Sequence, residues 1–256
     1  MRLPIDVPAL ARAAADRGWT SGRRVAFDEG AALHHLLGET FGPAALQPFR
    51  LMVAPRMRRG TLYAYAEADA EELRRIAREV GAPEALAALD AARLEEKAMP
   101  DVWTPGRRLG FDVRLRPVVR LASEVAPPAD RQGGRRHGFR KGAEVDAFLA
   151  AALEDPDRAA MAGAGRTRED VYREWLNARL GEAADVEKAI LAVFKRTLAA
   201  RGGKAREGPD ATLHGTLVVR DPDAFADRLR RGIGRHKAYG YGMLLLRPPQ
   251  ATSPGD

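Results

Sequence analysis

Leu3, Ile5 and Val7 alternate with polar or small neighbours, the period-2 pattern of a half-buried strand. The Ala-rich residues 9–16 predict a short helix before Gly18. Asp28 is placed to cap a second helix that carries Leu33, Leu36, Leu37 and Phe41 on one face and stops at Gly42-Pro43. Residues 49–53 and 61–65 predict two strands around a basic turn that contains Arg56, Arg58 and Arg59. Residues 70–80 predict a charged amphipathic helix ending at Gly81. Residues 86–97 suit either helix or strand, and the order of elements asks for a strand near Leu94.

After a linker at residues 100–106 the order repeats. Residues 109–115 alternate as a strand, and residues 127–142 form a Gly/Arg loop. Thr167 to Asp170 spell a capping box before a helix with Val171, Trp175, Leu176 and Leu180, stopped by Gly181. Residues 186–198 and 211–219 predict two long strands around a loop at 201–209. Asp221-Pro222 starts a helix that ends at Gly232, and residues 239–246 predict the last strand. The expected fold is α+β, two tandem ferredoxin-like (RRM-like) βαββαβ domains with antiparallel sheets. Their expected bounds are residues 1–99 and 107–250, with an insertion near 143–165 and a tail at 251–256. Sheets of this type are a common RNA-binding platform.

Composition narrows the chemistry. With no cysteine among 256 residues, disulfides, thiolate zinc sites and cysteine nucleophiles are excluded. No apolar run is long enough to span a bilayer, and the start lacks a signal-peptide core, so a cytoplasmic protein with no membrane partner is expected. Residues 1–130 hold 19 basic and 18 acidic side chains, residues 131–256 hold 23 and 17. The positive excess therefore lies in the second half, as expected if that lobe meets a polyanion.

Between the last helix and the last strand run Gly232-Ile233-Gly234-Arg235-His236-Lys237-Ala238-Tyr239-Gly240-Tyr241-Gly242. Glycines let a backbone approach a phosphate and aim its N–H groups at it, while Arg235 and Lys237 add charge. The stretch leaves a helix C-terminus, so it is neither a P-loop nor a dinucleotide fingerprint. Gly232, Gly234, Lys237, Gly240 and Gly242, followed by Leu244-Leu245-Leu246 and Pro248, closely resemble the C-terminal signature of the CasE family, the CRISPR repeat-RNA endoribonucleases of the type I-E Cascade complex. Residues 111–120 (FDVRLRPVVR), 173–180 (REWLNARL) and His214-Gly215-Thr216-Leu217 with Asp221, Pro222 and Phe225 are similar to further segments of that family.

On a helical wheel His34 falls at the edge of the apolar stripe and His35 points to solvent, one turn from Glu39. A half-buried imidazole titrates near neutrality, which suits proton transfer. The resemblance implies that the histidine preceded by an apolar residue and seven before an aromatic is catalytic, and Leu33-His34 with Phe41 matches that register. It further implies cleavage of CRISPR precursor RNA at the base of the repeat hairpin by 2′-OH attack. The products are a 2′,3′-cyclic phosphate and a 5′-OH, and no metal or other cofactor is needed. His34 is then the acid or base, and Lys237 or Arg235 with the turn's amides hold the phosphate. Some relatives place a tyrosine and a lysine where this chain has Ala31 and Glu39; Tyr239, Lys237 and Arg235 are chemically suited substitutes. His137, His214 and His236 read as contact or structural residues, and His35 with Glu39 offers too few ligands for a metal.

Arg131, Arg135, Arg136, Arg140 and Lys141 occupy a Gly-rich stretch free of acids, suited to phosphates, and resemble the segment that relatives lay along the RNA hairpin stem. Lys195, Arg196, Arg201, Lys204 and Arg206 form a second cluster on the predicted hairpin. The expected partners are CRISPR repeat RNA, its crRNA hairpin product and other Cascade subunits. The alternative is a non-catalytic RNA-hairpin-binding subunit of a ribonucleoprotein complex, which the residues at 31 and 39 favour.

Overall fold

The computed structural model describes residues 1–19, 27–125, 138–154, 166–201 and 204–248. The first unit holds β1 (Arg2–Asp6), α1 (Val7–Asp16), α2 (Glu29–Phe41), β2 (Phe49–Val53), β3 (Arg59–Ala64), α3 (Ala70–Val80) and α4 (Pro83–Ala88). Its three strands lie antiparallel in the order β1-β3-β2. The strand expected near Leu94 is not formed. Pro83 starts a helix, the alanines that follow lack the β-branching that favours a strand, and Ala91–Arg93 close a 3₁₀ turn. Among the described residues two isolated bridges, Ile5 to Leu89 and Arg2 to Glu95, lie on the outer edge of β1, where a fourth strand would lie.

The second unit begins with β4 (Arg108–Leu115). A small hairpin of β5 (Val118–Arg120) and β6 (Glu144–Asp146) then leads into α5 (Ala147–Glu154). The main repeat resumes with α6 (Arg168–Leu180), β7 (Ala184–Arg201), β8 (Lys204–Val219), α7 (Pro222–Arg231) and β9 (Leu244–Arg247). The antiparallel order β7-β8-β4-β9 is that of a βαββαβ unit. The capping box forms as expected, with the Thr167 and Asp170 side chains each bonded to the other's backbone N–H.

Two strand bounds differ from expectation. The segment 201–209 is not a loop: β7 and β8 stay paired to Arg201 and Lys204, a ribbon that outruns β4, whose last partner on β8 is Ala211. Pro209 is tolerated because β8 is paired there on one side only. The last strand starts at Leu244 instead of residue 239, since Gly240 and Gly242 have φ of 81° and 79°, outside the strand region.

Each unit has its own apolar core, one around Leu3, Leu10, Leu36, Leu62 and Leu73, the other around Phe111, Tyr172, Leu176, Leu213 and Phe225. Among the described residues, the sheet face of the second unit that turns away from its helices centres on charged side chains, not on stacked aromatic rings. Its centre is Asp112, 2% exposed, ion-paired to Arg50 of β2 at 3.0 Å and to Arg247 at 2.7 Å, with the His214 Nε2 2.8 Å away. Arg50 comes from the other unit, so this buried cluster joins the two sheets. The Tyr65 hydroxyl adds a second tie by donating to the Leu244 carbonyl at 2.8 Å. Among the described residues no helix is long and apolar enough to cross a membrane.

Candidate active site

Helix α2 is capped by Asp28, whose carboxylate accepts from the Ala31 N–H at 3.0 Å, and Leu33, Leu36 and Leu37 bury its apolar face. That face leaves His34 half-buried at its edge and His35 exposed, as the wheel predicts. His35 lies against Trp19, ring centroids 4.8 Å apart, and Glu39 pairs with Arg17 at 3.3 Å instead of with His35. Partial desolvation, with the charge of His35 as a second cause, lowers the His34 pKa from its ordinary value and favours the neutral imidazole.

The glycine-rich turn of the second unit comes to His34. Residues Lys237–Tyr239 form a 3₁₀ turn that packs on α2, and the Tyr239 ring lies 5.2 Å from the His34 ring, tilted by 59°. Gly30 makes this approach possible: a Cβ there would run into the Tyr239 carbonyl oxygen. On its other sides the turn rests on Pro48, Phe49 and Trp175, which a Cβ on Gly232, Gly240 or Gly234 would crowd. All four turn glycines have positive φ, and His236 shares the left-handed region at φ 62°. The glycines thus serve the packing of the turn against both units.

Within the turn the N–H groups of Gly234, Arg235, Lys237 and Ala238 make no hydrogen bond among the described residues. Successive donors beside a left-handed residue are the arrangement that receives anions. Lys237 forms no ion pair among the described residues, and its stem passes Gly232. Arg235, by contrast, is held by Glu144 of β6 at 2.8 Å. Arg114 of β4 supports the turn from below. Its carbonyl accepts from the Gly242 N–H at 2.7 Å, and its guanidinium lies 4.5 Å over Tyr241 while gripping both oxygens of Asp210.

The basic segments fare unequally. Arg131, Arg135, Arg136 and His137 lie outside the described residues. Arg140 and Lys141 are exposed at the foot of β6, three or four residues from the Glu144 that anchors the turn. In the hairpin Lys195 pairs with Asp210 at 3.7 Å and Arg196 with Glu207 at 2.9 Å. The side chains of Arg201, Lys204 and Arg206 lie outside the described set. His214 is committed to Asp112, and no group of three or more His, Asp or Glu among the described residues is placed to hold a metal ion.

The sequence profile of the CRISPR associated protein family matches residues 2–248. The chain belongs to that family. It is 29% identical over 144 residues to the CRISPR-associated endoribonuclease Cse3 of Thermus thermophilus, a match that covers 56% of this chain and 57% of that protein. The chain therefore spans rather more than half the length of the curated relative it matches. In fold it is similar to Cas6e from Escherichia coli str. K-12, with a TM-score of 0.55 at 20% identity over 97% of this chain and 100% of the other. It is similar also to a CRISPR endoribonuclease Cse3 bound to 19 nt RNA, with a TM-score of 0.56 at 20% identity over 96% and 98%. These likenesses identify the fold as two ferredoxin-like domains, and the CasE resemblance of the turn agrees with the family.

Gly30, Glu144 and Trp175 are the residues of this family member's site that sequence reasoning missed as site-builders. Gly30 left one signal, a glycine inside a helix of alanines and leucines, where it costs about 1 kcal/mol against alanine. Were the site to cut RNA, Gly30→Ala would displace the turn and slow that cleavage about 100-fold, as misplacement by about 1 Å can. Hairpin affinity should hold within a few-fold. Single-turnover rates beside binding curves check this, and an unchanged rate would detach the turn from the reaction.

Proposed function

We propose that the chain is a metal-independent endoribonuclease of the cytoplasm that cleaves CRISPR precursor RNA at the base of the repeat hairpin. It then keeps the product crRNA as a subunit of a Cascade complex. The observation that carries the reading is the meeting of His34, from one unit, with a cationic turn of open backbone amides from the other. The names of the relatives support it, one as an endoribonuclease, another as such an enzyme bound to RNA.

The chemistry follows from the groups. The 2′-oxygen of the upstream nucleotide attacks phosphorus, and the bond to the 5′-oxygen breaks. His34, favoured in its neutral form, accepts the 2′-OH proton. Lys237 and the amides of Gly234, Arg235, Lys237 and Ala238 hold the phosphate and stabilise the charge that builds on it. Gly232, Gly240 and Gly242 give the turn its path. Arg235 contributes those of its five donors that Glu144 leaves. Arg135, Arg136, Arg140 and Lys141 grip stem phosphates.

Two measurements test this. Incubated with a repeat hairpin in EDTA, the protein should yield fragments ending in 2′,3′-cyclic phosphate and 5′-OH; ends of the opposite kind, or a requirement for added metal, would refute the mechanism. Binding should weaken steeply with salt, and the slope of log K against log salt should shrink by about 1 for each phosphate that a variant no longer grips. Arg140→Ala with Lys141→Ala should therefore flatten the slope by roughly 2. A slope that stays the same would remove this segment from the interface.

A further inference from the structure

We infer that Tyr239 is a catalytic residue of the same reaction, the group that gives a proton to the departing 5′-oxygen. The inference rests on the ribonuclease reading above and assigns the half of the proton transfer that His34 leaves open.

Position is the first argument. Tyr239 is the tyrosine whose ring meets His34, at 5.2 Å between centroids, and it sits two residues after Lys237 in the turn that would hold the phosphate. Its backbone is fixed by the N–H that it donates to the His236 carbonyl at 2.9 Å and by the contact that Gly30 permits. A backbone held in this way presents the ring beside His34.

Availability is the second. The Tyr239 side chain is half-buried, and its hydroxyl makes no hydrogen bond among the described residues. The neighbouring donors are otherwise engaged or chemically unsuited. The Tyr241 hydroxyl is shared between Arg114 and Thr197, each at 3.4 Å. Arg235 is bound to Glu144, and a guanidinium does not release a proton in proteins. The His236 ring is buried beside Glu144, 3.7 Å away. Lys237 is a compact positive charge suited to the phosphate oxygens. A phenol can both donate and accept, which is what a leaving oxygen and its return path require.

The step balances. As the 2′-oxygen forms its bond to phosphorus, His34 takes the 2′-OH proton. As the bond from phosphorus to the 5′-oxygen breaks, the Tyr239 hydroxyl supplies the proton that makes the 5′-OH. Afterwards the imidazolium loses a proton to solvent and the phenolate regains one, so the enzyme returns unchanged.

The experiment uses the full chain, single-turnover conditions and two hairpins, one natural and one with sulfur in place of the bridging 5′-oxygen at the scissile bond. Sulfur leaves without needing a proton. Tyr239→Phe keeps the ring and should slow cleavage of the natural hairpin by about 10²-fold or more, with hairpin affinity unchanged. The same variant should cut the sulfur hairpin within a few-fold of wild type, whereas His34→Ala should remain slow on both. A natural-hairpin rate within about threefold of wild type, or equal slowing on the sulfur hairpin, would overturn the assignment. If wild type cuts neither hairpin, the ribonuclease reading itself falls and takes the assignment with it.

Discussion

Replacing His34 by alanine is expected to lower the single-turnover rate of RNA cleavage by roughly 10²–10⁴-fold, the usual worth of a positioned acid–base group, while hairpin affinity stays within a few-fold. The separation of rate from affinity follows from placement. His34 stands at the rim of α2, whose packing is carried by Leu33, Leu36, Leu37 and Phe41, so its loss leaves the helix seated. The cations assigned to the RNA, Lys237, Arg140 and Lys141, belong to other elements and are untouched. Neutral imidazole is the form that accepts a proton, and burial together with His35 favours it. A variant that keeps its rate would mean that proton transfer is done elsewhere, and a variant that loses binding in proportion would mean that His34 holds RNA instead of reacting with it.

The second large effect is on stability. Asp112→Ala is expected to destabilise the protein by about 3–5 kcal/mol, the cost of stranding a buried charge whose partner is removed. Asp112 sits between Arg50, His214 and Arg247, and Arg50 is the most enclosed of the three, its side chain 9% exposed. Burial lowers the Arg50 pKa, and the neighbouring Asp112 carboxylate offsets only part of that, as expected of a charge held away from water. Because Arg50 lies on β2 and Asp112 on β4, the damage falls on the joint between the sheets. Urea denaturation measures the loss. Asp112→Ala combined with Arg50→Met should recover most of it, since an apolar pair has no charge to strand. A loss below about 1 kcal/mol in the single variant would show that solvent reaches this cluster.

Much of this architecture is written locally. Asp28, Thr167 with Asp170, and Asp221-Pro222 each satisfy orphan amides of the turn that follows them, so three helix starts could be read without knowledge of the fold. The missing fourth strand of the first unit could not. The alanines at 85, 87, 88, 91 and 92 carry little preference for β1's edge, and packing decided between helix and strand. The extension of β7 and β8 to Arg201 and Lys204 was hidden by Gly202, Gly203, Gly208 and Pro209, which read as a loop until the pairing register is known. At the site, His34 and the turn were legible separately, one by its register with Phe41, the other by its glycines. Their contact depends on Gly30, Pro48 and Phe49 meeting a turn that lies far along the chain, and no local pattern encodes that meeting. Likewise Arg235 read as a free cation because Glu144, its partner, is distant in sequence.

The central claim is that the RNA supplies its own nucleophile at the seam where His34 meets the turn. It is tested most directly by a repeat hairpin carrying a single 2′-deoxy nucleotide at the cleavage position, compared with the all-ribose hairpin at saturating protein in EDTA. The account predicts that both bind alike and that only the all-ribose hairpin is cut. A deoxy hairpin that is cut, or an all-ribose hairpin that stays bound and whole, would contradict it.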